Sequence, residues 1–367
     1  MSRAKRAYYI GIMSGTSLDG ADAVLADLSK SPFTVRATAF VRFDKRLRET
    51  LLLLHEDKAG SLTLAAKTAN RLAHLYAKSI TAVLANANLP AKNISAIGCH
   101  GQTILHCPNL GFTLQLNNPS LLAELTGITV VSDFRSRDIA AGGEGAPLVP
   151  AFHDVMFRHP RVHRVILNIG GIANITDLNP VKATIGFDAG PGNMLMDSWI
   201  RKNKKMAFDK NGKWAASGTV IPALLSRLLA DPYFKKKPPR SSGRDLFNAA
   251  WYEHALKPEY TACDVQATLL AVTAHAIAGA IHAYCRGTTE VYCCGGGAQN
   301  SALRNRLREL IPEARITVTD ELNVGTQDVE ALAFAWLAEQ TLLRRPGNLP
   351  KATGARGKRI LGGIYYK

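Results

Sequence analysis

The segment Tyr8–Leu28, YYIGIMSGTSLDGADAVLADL, decides how the rest of the chain is read. One apolar run enters it (Tyr8, Tyr9, Ile10, Ile12) and a second leaves it (Ala21, Ala23, Val24, Leu25). Between them stands Ser14-Gly15-Thr16-Ser17-Leu18-Asp19-Gly20. Apolar runs bounded by small polar residues read as two strands joined by a turn. The glycines let the backbone adopt positive φ and approach a ligand closely. Successive N–H groups in such a turn, beside Ser and Thr hydroxyls, form a concavity for anions. Two readings fit at this point: a hairpin that grips phosphate, and an ordinary hairpin whose turn is polar because turns generally are.

The pattern recurs in the second half. Arg164–Leu178, RVILNIGGIANITDL, has an apolar entry, a turn carrying Gly170 and Gly171, and an apolar exit closing in Asp-Leu. Such self-similarity is the mark of a repeated structural unit. Around the hairpins, strand patterns at Ile94–Cys99, Ile128–Ser132, Thr184–Phe187, Glu290–Cys294 and Arg315–Thr319 alternate with helical ones. The helical periodicity covers Asp44–His55, Ser61–Asn86, Met194–Arg201, Asp264–Tyr284 and Asp328–Leu343. Alternation of this kind indicates an α/β class with mixed or parallel sheets. A chain of 367 residues exceeds the size at which one core keeps growing, so two domains are expected. The Gly/Pro-rich loop Ala140–Pro150 places their boundary, with residues 8–150 in an N-terminal lobe and 151–346 in a C-terminal one.

Composition narrows the function classes. The net charge is +16, from 45 basic against 29 acidic residues. The basic residues are scattered, no basic stripe is interleaved with aromatics, and no nucleic-acid-binding motif stands out, so no nucleic-acid partner is expected. A solvated basic surface attracting small acidic molecules fits better. The six cysteines include no Cys-x-x-Cys pair, which gives no zinc signal and reads as reduced thiols. The basic start MSRAKRA leads into a strand pattern, not a secretory apolar segment. No run approaches about 20 uncharged apolar residues, so no membrane span is expected and the chain reads as cytoplasmic.

Three glycine turns follow strands: Gly15 to Gly20, Gly170-Gly171, and Gly295-Gly296-Gly297. None matches the Gly-x4-Gly-Lys-Ser/Thr phosphate loop. Together they read as a nucleotide clamp between two similar lobes, with three unrelated loops as the alternative. Asp188 follows a strand and precedes Gly-Pro-Gly, so its carboxylate is placed to act as a general base. The alternative for Asp188 is a helix cap, a role that Asn193 already fills in the sequence. Asp19 and Asp22 are candidate Mg²⁺ partners, directly or through water, while turn chemistry explains Asp22 equally well. Asp133, Arg135 and Arg137 cluster after a strand end, where Arg can grip a carboxylate in a bidentate fork; a solvated salt-bridge cluster is the alternative. Glu144 in its Gly-rich loop reads as substrate contact or exposed loop. Glu330 reads as substrate contact or as an acid favoured by a helix N-terminus.

Longer motifs carry a resemblance. GIMSGTSLDGADAVLADL, GCHGQTILH, LLAELTGITVVSDFRSRDIAAGGEGAPLVPAFH, NIGGIANIT, GFDAGPGNMLMDSW, CGGGAQN and TGARGKRILGGIY, in this order, resemble the anhydro-N-acetylmuramic acid kinase family over nearly the whole chain. The resemblance implies two ribonuclease-H-like lobes around a central cleft, the actin-like ATPase, sugar kinase and Hsp70 fold, with tail residues 347–367 joining the first lobe. It implies an ATP- and Mg²⁺-dependent kinase of peptidoglycan recycling. Such an enzyme opens the anhydro ring of 1,6-anhydro-N-acetylmuramic acid with water and phosphorylates O6. On that pattern Gly15, Thr16, Ser17, Leu18, Asp19, Gly20, Ala21 and Asp22 bind ATP, with Gly170, Gly171, Gly295, Gly296 and Gly297. Asp188 activates the water, and the Asp133, Arg135, Arg137, Glu144 and Glu330 group meets the sugar. A homodimer is also implied. Two alternatives stay open: another amino-sugar kinase of the same superfamily, and a non-catalytic ATP-binding module.

Overall fold

The structure, a computed structural model, describes residues 7–15, 17–55, 62–243 and 246–367. Two compact units divide the chain: Met1–Met156 with Asp328–Lys367, and Phe157–Gln327.

In the first unit, β1 (Tyr8–Met13) and β2 (Gly20–Asp27) pair antiparallel, with Tyr8 opposite Asp27 and Met13 opposite Asp22. β3 (Thr34–Arg42) continues the meander and alternates in exposure along its length, as an outer strand does. β4 (Ile94–Cys99) returns parallel to β1 on its other side. Parallel pairs need a crossover, here supplied by the helices Lys45–His55 and Leu62–Ala87. The start of the second, expected at Ser61, lies outside the described residues. β5 (Gln102–Cys107) and β6 (Phe112–Leu116) form a separate small hairpin, and β7 (Val130–Ser132) lies parallel beside β4.

The second unit follows the same path. β8 (Arg164–Ile169), β9 (Ile172–Leu178) and β10 (Ile185–Pro191) form an antiparallel meander. β11 (Glu290–Cys294) then pairs parallel with β8, and β12 (Arg315–Val318) parallel with β11. The order is β10-β9-β8-β11-β12. With β13 (Gly363–Tyr365) added from the C-terminus, the first sheet reads β13-β7-β4-β1-β2-β3. Both sheets therefore run as meander, parallel return beside the first strand, and parallel extension, which is the ribonuclease-H-like topology.

Two elements differ from their sequence reading. The helix Val329–Leu342 belongs to the first unit, so the return to that unit begins at Asp328 and not at residue 347. The cause is glycine at the contact. A Cβ on Gly11 would stand 1.7 Å from the Ala331 carbonyl oxygen, and one on Gly98 would stand 1.9 Å from that of Phe334. Helix backbone thus lies directly on β1 and β4. The helix Ala262–Tyr284 starts two residues earlier than expected, because the Thr261 side chain accepts a hydrogen bond from the Asp264 amide. Its length and apolarity would suit a membrane span, but 83% of its most apolar stretch is buried, as the core helix of the second unit.

Candidate active site

Asp188 lies inside β10, where the sequence reading put it just past a strand end. The ladder continues because it bulges: Asp188 stands opposite Asn174 and Gly190 opposite Ala173. Gly190, at φ 148, is required there, since a Cβ would stand 2.8 Å from the Phe234 ring. The Asp188 side chain is 8% exposed, and its Oδ2 accepts the Ser242 amide at 2.8 Å. Burial pushes the carboxyl up to about 7, against the opposing pull of the Ser242 amide hydrogen bond and the Arg240 charge. A buried carboxyl titrating near neutrality is suited to accept a proton at physiological pH.

Asp188 caps no helix in this arrangement, and neither does the Asn193 side chain. Asn193 instead donates its side-chain amide to the Ile169 carbonyl at 3.3 Å. That bond is one of several drawing the glycine turns of the second unit together. The Gly192 amide donates to Gly171 and the Asn193 amide to Gly170, both at 2.8 Å. A Cβ on Gly295 would stand 2.3 Å from Asn168 Oδ1, and one on Gly297 would stand 2.3 Å from Ile169. Gly170, Gly171, Gly295 and Gly297 are therefore brought side by side, with Asn168 and Asn193 between them.

In the first unit the β1–β2 turn closes when the Leu18 amide bonds the Gly15 carbonyl at 3.2 Å, with Leu18 at φ 57 and its side chain buried as an anchor. Ser17 donates its hydroxyl to Asp19 Oδ1 at 2.6 Å. Thr16 lies outside the described residues. Gly20 is glycine because a Cβ would meet Phe40 at 2.4 Å, and Ala21 is buried in β2.

Glycine is otherwise unexplained at three positions, one in each turn. A Cβ on Gly15 would find its nearest atom at 3.7 Å, on Gly170 at 3.6 Å, and on Gly296 at 3.9 Å. None of the three has left-handed backbone. The fold itself would accept a side chain at each.

Asp22 is not a turn residue: it lies in β2 with Phe40 opposite. Its carboxyl rises to about 7 through burial first, then through Asp19, Asp328 and Glu330. Asp328 was not singled out by its sequence position, since a lone acid before a helix reads as a cap. No three His, Cys, Asp or Glu side chains among the described residues are arranged to cage a metal. Mg²⁺ needs no such cage, taking one or two carboxylates plus phosphate oxygens and water, so Asp19 and Asp22 fit it chemically.

The Asp133–Arg137 stretch splits. Asp133, exposed and at φ 60, accepts from the Ser136 amide and hydroxyl, at 3.3 and 2.6 Å, in the turn ahead of the short helix Ser136–Ala140. Arg137 is exposed and borders, with Asp133, Ile360 and Gly362, an open depression of about 430 Å³. Arg135 turns elsewhere, donating Nε to His100 Nε2 at 2.9 Å and a terminal nitrogen to the Gly145 carbonyl at 2.7 Å. Because Nε2 accepts, the one ring proton of His100 sits on Nδ1, which donates to the Gly101 carbonyl at 2.7 Å, and burial beside Arg135 keeps the ring neutral. Burial lowers Arg135 to about 10, while Glu330 and Asp138 favour its charge. The structure thus brings Arg135 and Glu330 together and leaves Glu144 exposed on its loop.

Two units of ribonuclease-H-like topology, each opening on a glycine-turn hairpin, place the chain in the class of sugar kinases, actin-like ATPases and Hsp70 proteins. Within that class the chain belongs to the anhydro-N-acetylmuramic acid kinase family, whose model matches residues 7–367. The protein of that name from Nitrosospira multiformis is 51% identical over 363 residues, 98% of this chain and 99% of the relative. The one from Thiobacillus denitrificans is 52% identical over 361 residues, 97% of this chain and 96% of the relative.

Proposed function

We propose that the protein uses ATP to convert 1,6-anhydro-N-acetylmuramic acid and water into N-acetylmuramic acid 6-phosphate and ADP, a step of peptidoglycan recycling. Family membership supports the choice of sugar. The observation that carries a nucleotide-binding reading is the set of spare glycines. Gly15, Gly170 and Gly296 are demanded neither by packing nor by backbone conformation. A bare backbone at such a place serves the close approach of a ligand. In this reading the turns Gly15–Asp22 and Gly170-Gly171 hold phosphates, and Gly295–Gly297 adjoins the nucleoside. Asp19 and Asp22 would hold Mg²⁺, whose charge offsets that of the phosphates when bound.

Asp188 takes a proton from water as the water oxygen forms its bond to the anomeric carbon. The anhydro bridge from that carbon to O6 breaks, and O6 takes the γ-phosphoryl group as ADP leaves. A carboxyl titrating near 7 is matched to this task. Arg135 meets the lactyl carboxylate of the sugar with its remaining guanidinium donors, and Glu330 accepts from sugar hydroxyls. Phosphoryl transfer of this kind depends on positioning and charge more than on covalent catalysis.

Mass spectrometry of the product from ATP, Mg²⁺ and the anhydro sugar tests the reading: water and phosphate must be gained together. A product gaining phosphate alone makes this a simple sugar kinase, and no product at all refutes the assignment. Asp188→Asn is expected to keep ATP binding and lose turnover by at least about 10²-fold. Near-normal kcat in that variant removes Asp188 as the base.

A further inference from the structure

Residues 236–243, KKPPRSSG, frame Asp188 on three sides. The Asp188 amide donates to the Arg240 carbonyl at 3.0 Å. Arg240 Nε donates back to the Asp188 carbonyl at 2.8 Å, where the Tyr233 hydroxyl also donates at 3.0 Å. The Ser242 amide donates to Asp188 Oδ2 at 2.8 Å. Residue 188 is thus gripped at its N–H, its C=O and one carboxylate oxygen, largely from a single short segment. No described residue donates to Oδ1, so the carboxylate is pinned on one side and open on the other.

Arg240 is a buried cation whose remaining bonds all go to carbonyls. Its terminal nitrogens donate to Lys236 at 2.8 Å, Phe234 at 3.3 Å, and Tyr233 and Ala189 at 3.4 Å. The guanidinium carbon lies 5.1 Å from the Tyr233 ring centre, 5.6 Å from that of Phe187 and 5.7 Å from that of Tyr284. A planar five-donor fork between aromatic faces is a task for Arg that Lys cannot copy. The Ser242 hydroxyl is buried near Asp188 and Tyr233 without completing a hydrogen bond.

We propose that Arg240 and Ser242 are positioning residues for the catalytic base: Arg240 locks the backbone of residue 188, and the Ser242 amide fixes which carboxylate oxygen stays open to the attacking water. This rests on the reading of Asp188 as the base. Among the described residues, the groups facing Asp188 are Arg240 and Ser242 from this segment, Tyr233 from the turn Pro232–Lys235, and Asn174 across the ladder.

The test uses the full-length protein with ATP, Mg²⁺ and the anhydro sugar, comparing Arg240→Gln, Arg240→Lys, Ser242→Ala and Ser242→Pro with Asp188→Asn. Both Arg240 variants are expected to lower kcat by about 10²-fold, with KM for ATP within about twofold of the parent. The acidic limb of the kcat/KM pH profile should move to higher pH in Arg240→Gln, which loses the charge, and not in Arg240→Lys, which keeps it. Ser242→Pro, lacking the amide donor, should lose far more kcat than Ser242→Ala, which retains it. Should Arg240→Gln not fold, the two Ser242 variants decide. Parental kcat and an unmoved acidic limb in the variants, with Asp188→Asn inactive, overturn the positioning role and leave the base standing. Parallel loss of kcat and ATP affinity overturns it too, as the sign of a merely structural part. Activity in Asp188→Asn would instead strike at the base itself.

Discussion

Asp188→Asn should make the ligand-free protein more stable above neutral pH while abolishing its chemistry. Burial raises the Asp188 carboxyl from 3.8 to about 7, so between these values the folded chain holds a proton that the unfolded chain has released. With more protons bound in the folded state, stability falls as pH rises from about 4, and the penalty is complete above about 7. Below about 4 both states are protonated and the penalty vanishes. Roughly three pKa units at 1.36 kcal/mol each set its ceiling at about 4 kcal/mol. Asn is neutral throughout and can still accept the Ser242 amide, which lies 2.8 Å from Asp188 Oδ2. For a unit the size of Phe157–Gln327, 1 kcal/mol shifts Tm by roughly 2–4 °C. We therefore expect Tm to rise by at most about 8–16 °C at pH 8 and by under about 2 °C near pH 4. Thermal melts of both proteins without nucleotide, from pH 4 to 8, measure this. A difference that does not change with pH, or a variant less stable at pH 8, refutes the account of Asp188 as a carboxyl strained by burial.

Gly15→Ala and Gly170→Ala should leave Tm within about 2 °C of the parent and weaken ATP binding at least about tenfold by calorimetry, because only a ligand needs the space. Gly98→Ala sets a Cβ 1.9 Å from a helix carbonyl and should cost more than about 3 kcal/mol, read as a denaturant midpoint or as loss of soluble protein. Asp138 accepts from Gly145, Asn348 and Thr353 at 2.9, 2.7 and 2.9 Å, so Asp138→Ala should cost about 3 kcal/mol or more in a urea melt. Asp22→Asn relieves the pressure of Asp19, Asp328 and Glu330 on a carboxyl raised to about 7. It should raise Tm above pH 7 without ligand while weakening Mg²⁺-dependent ATP binding.

The strands, the duplicated hairpin and the crossover helices were legible in the chain because each rests on local periodicity and on turns of small residues. Asp188 stood out on its own, since a carboxylate between a strand and Gly-Pro-Gly has few neighbours that could explain it. The long motifs carry the family resemblance by themselves. Other features depended on partners distant in the chain. Gly11 and Gly98 look like ordinary strand glycines until the helix Val329–Leu342 lies across them, which assigns that helix to the first unit. Asp133, Arg135 and Arg137 are one cluster in sequence and two in space, because Asp133, in a φ 60 turn, bonds Ser136 while Arg135 is drawn to His100. Arg240 and Ser242 carry no local signal at all. Their meaning comes from hydrogen bonds to a residue about fifty positions away, and only the folded backbone brings such groups within bonding distance.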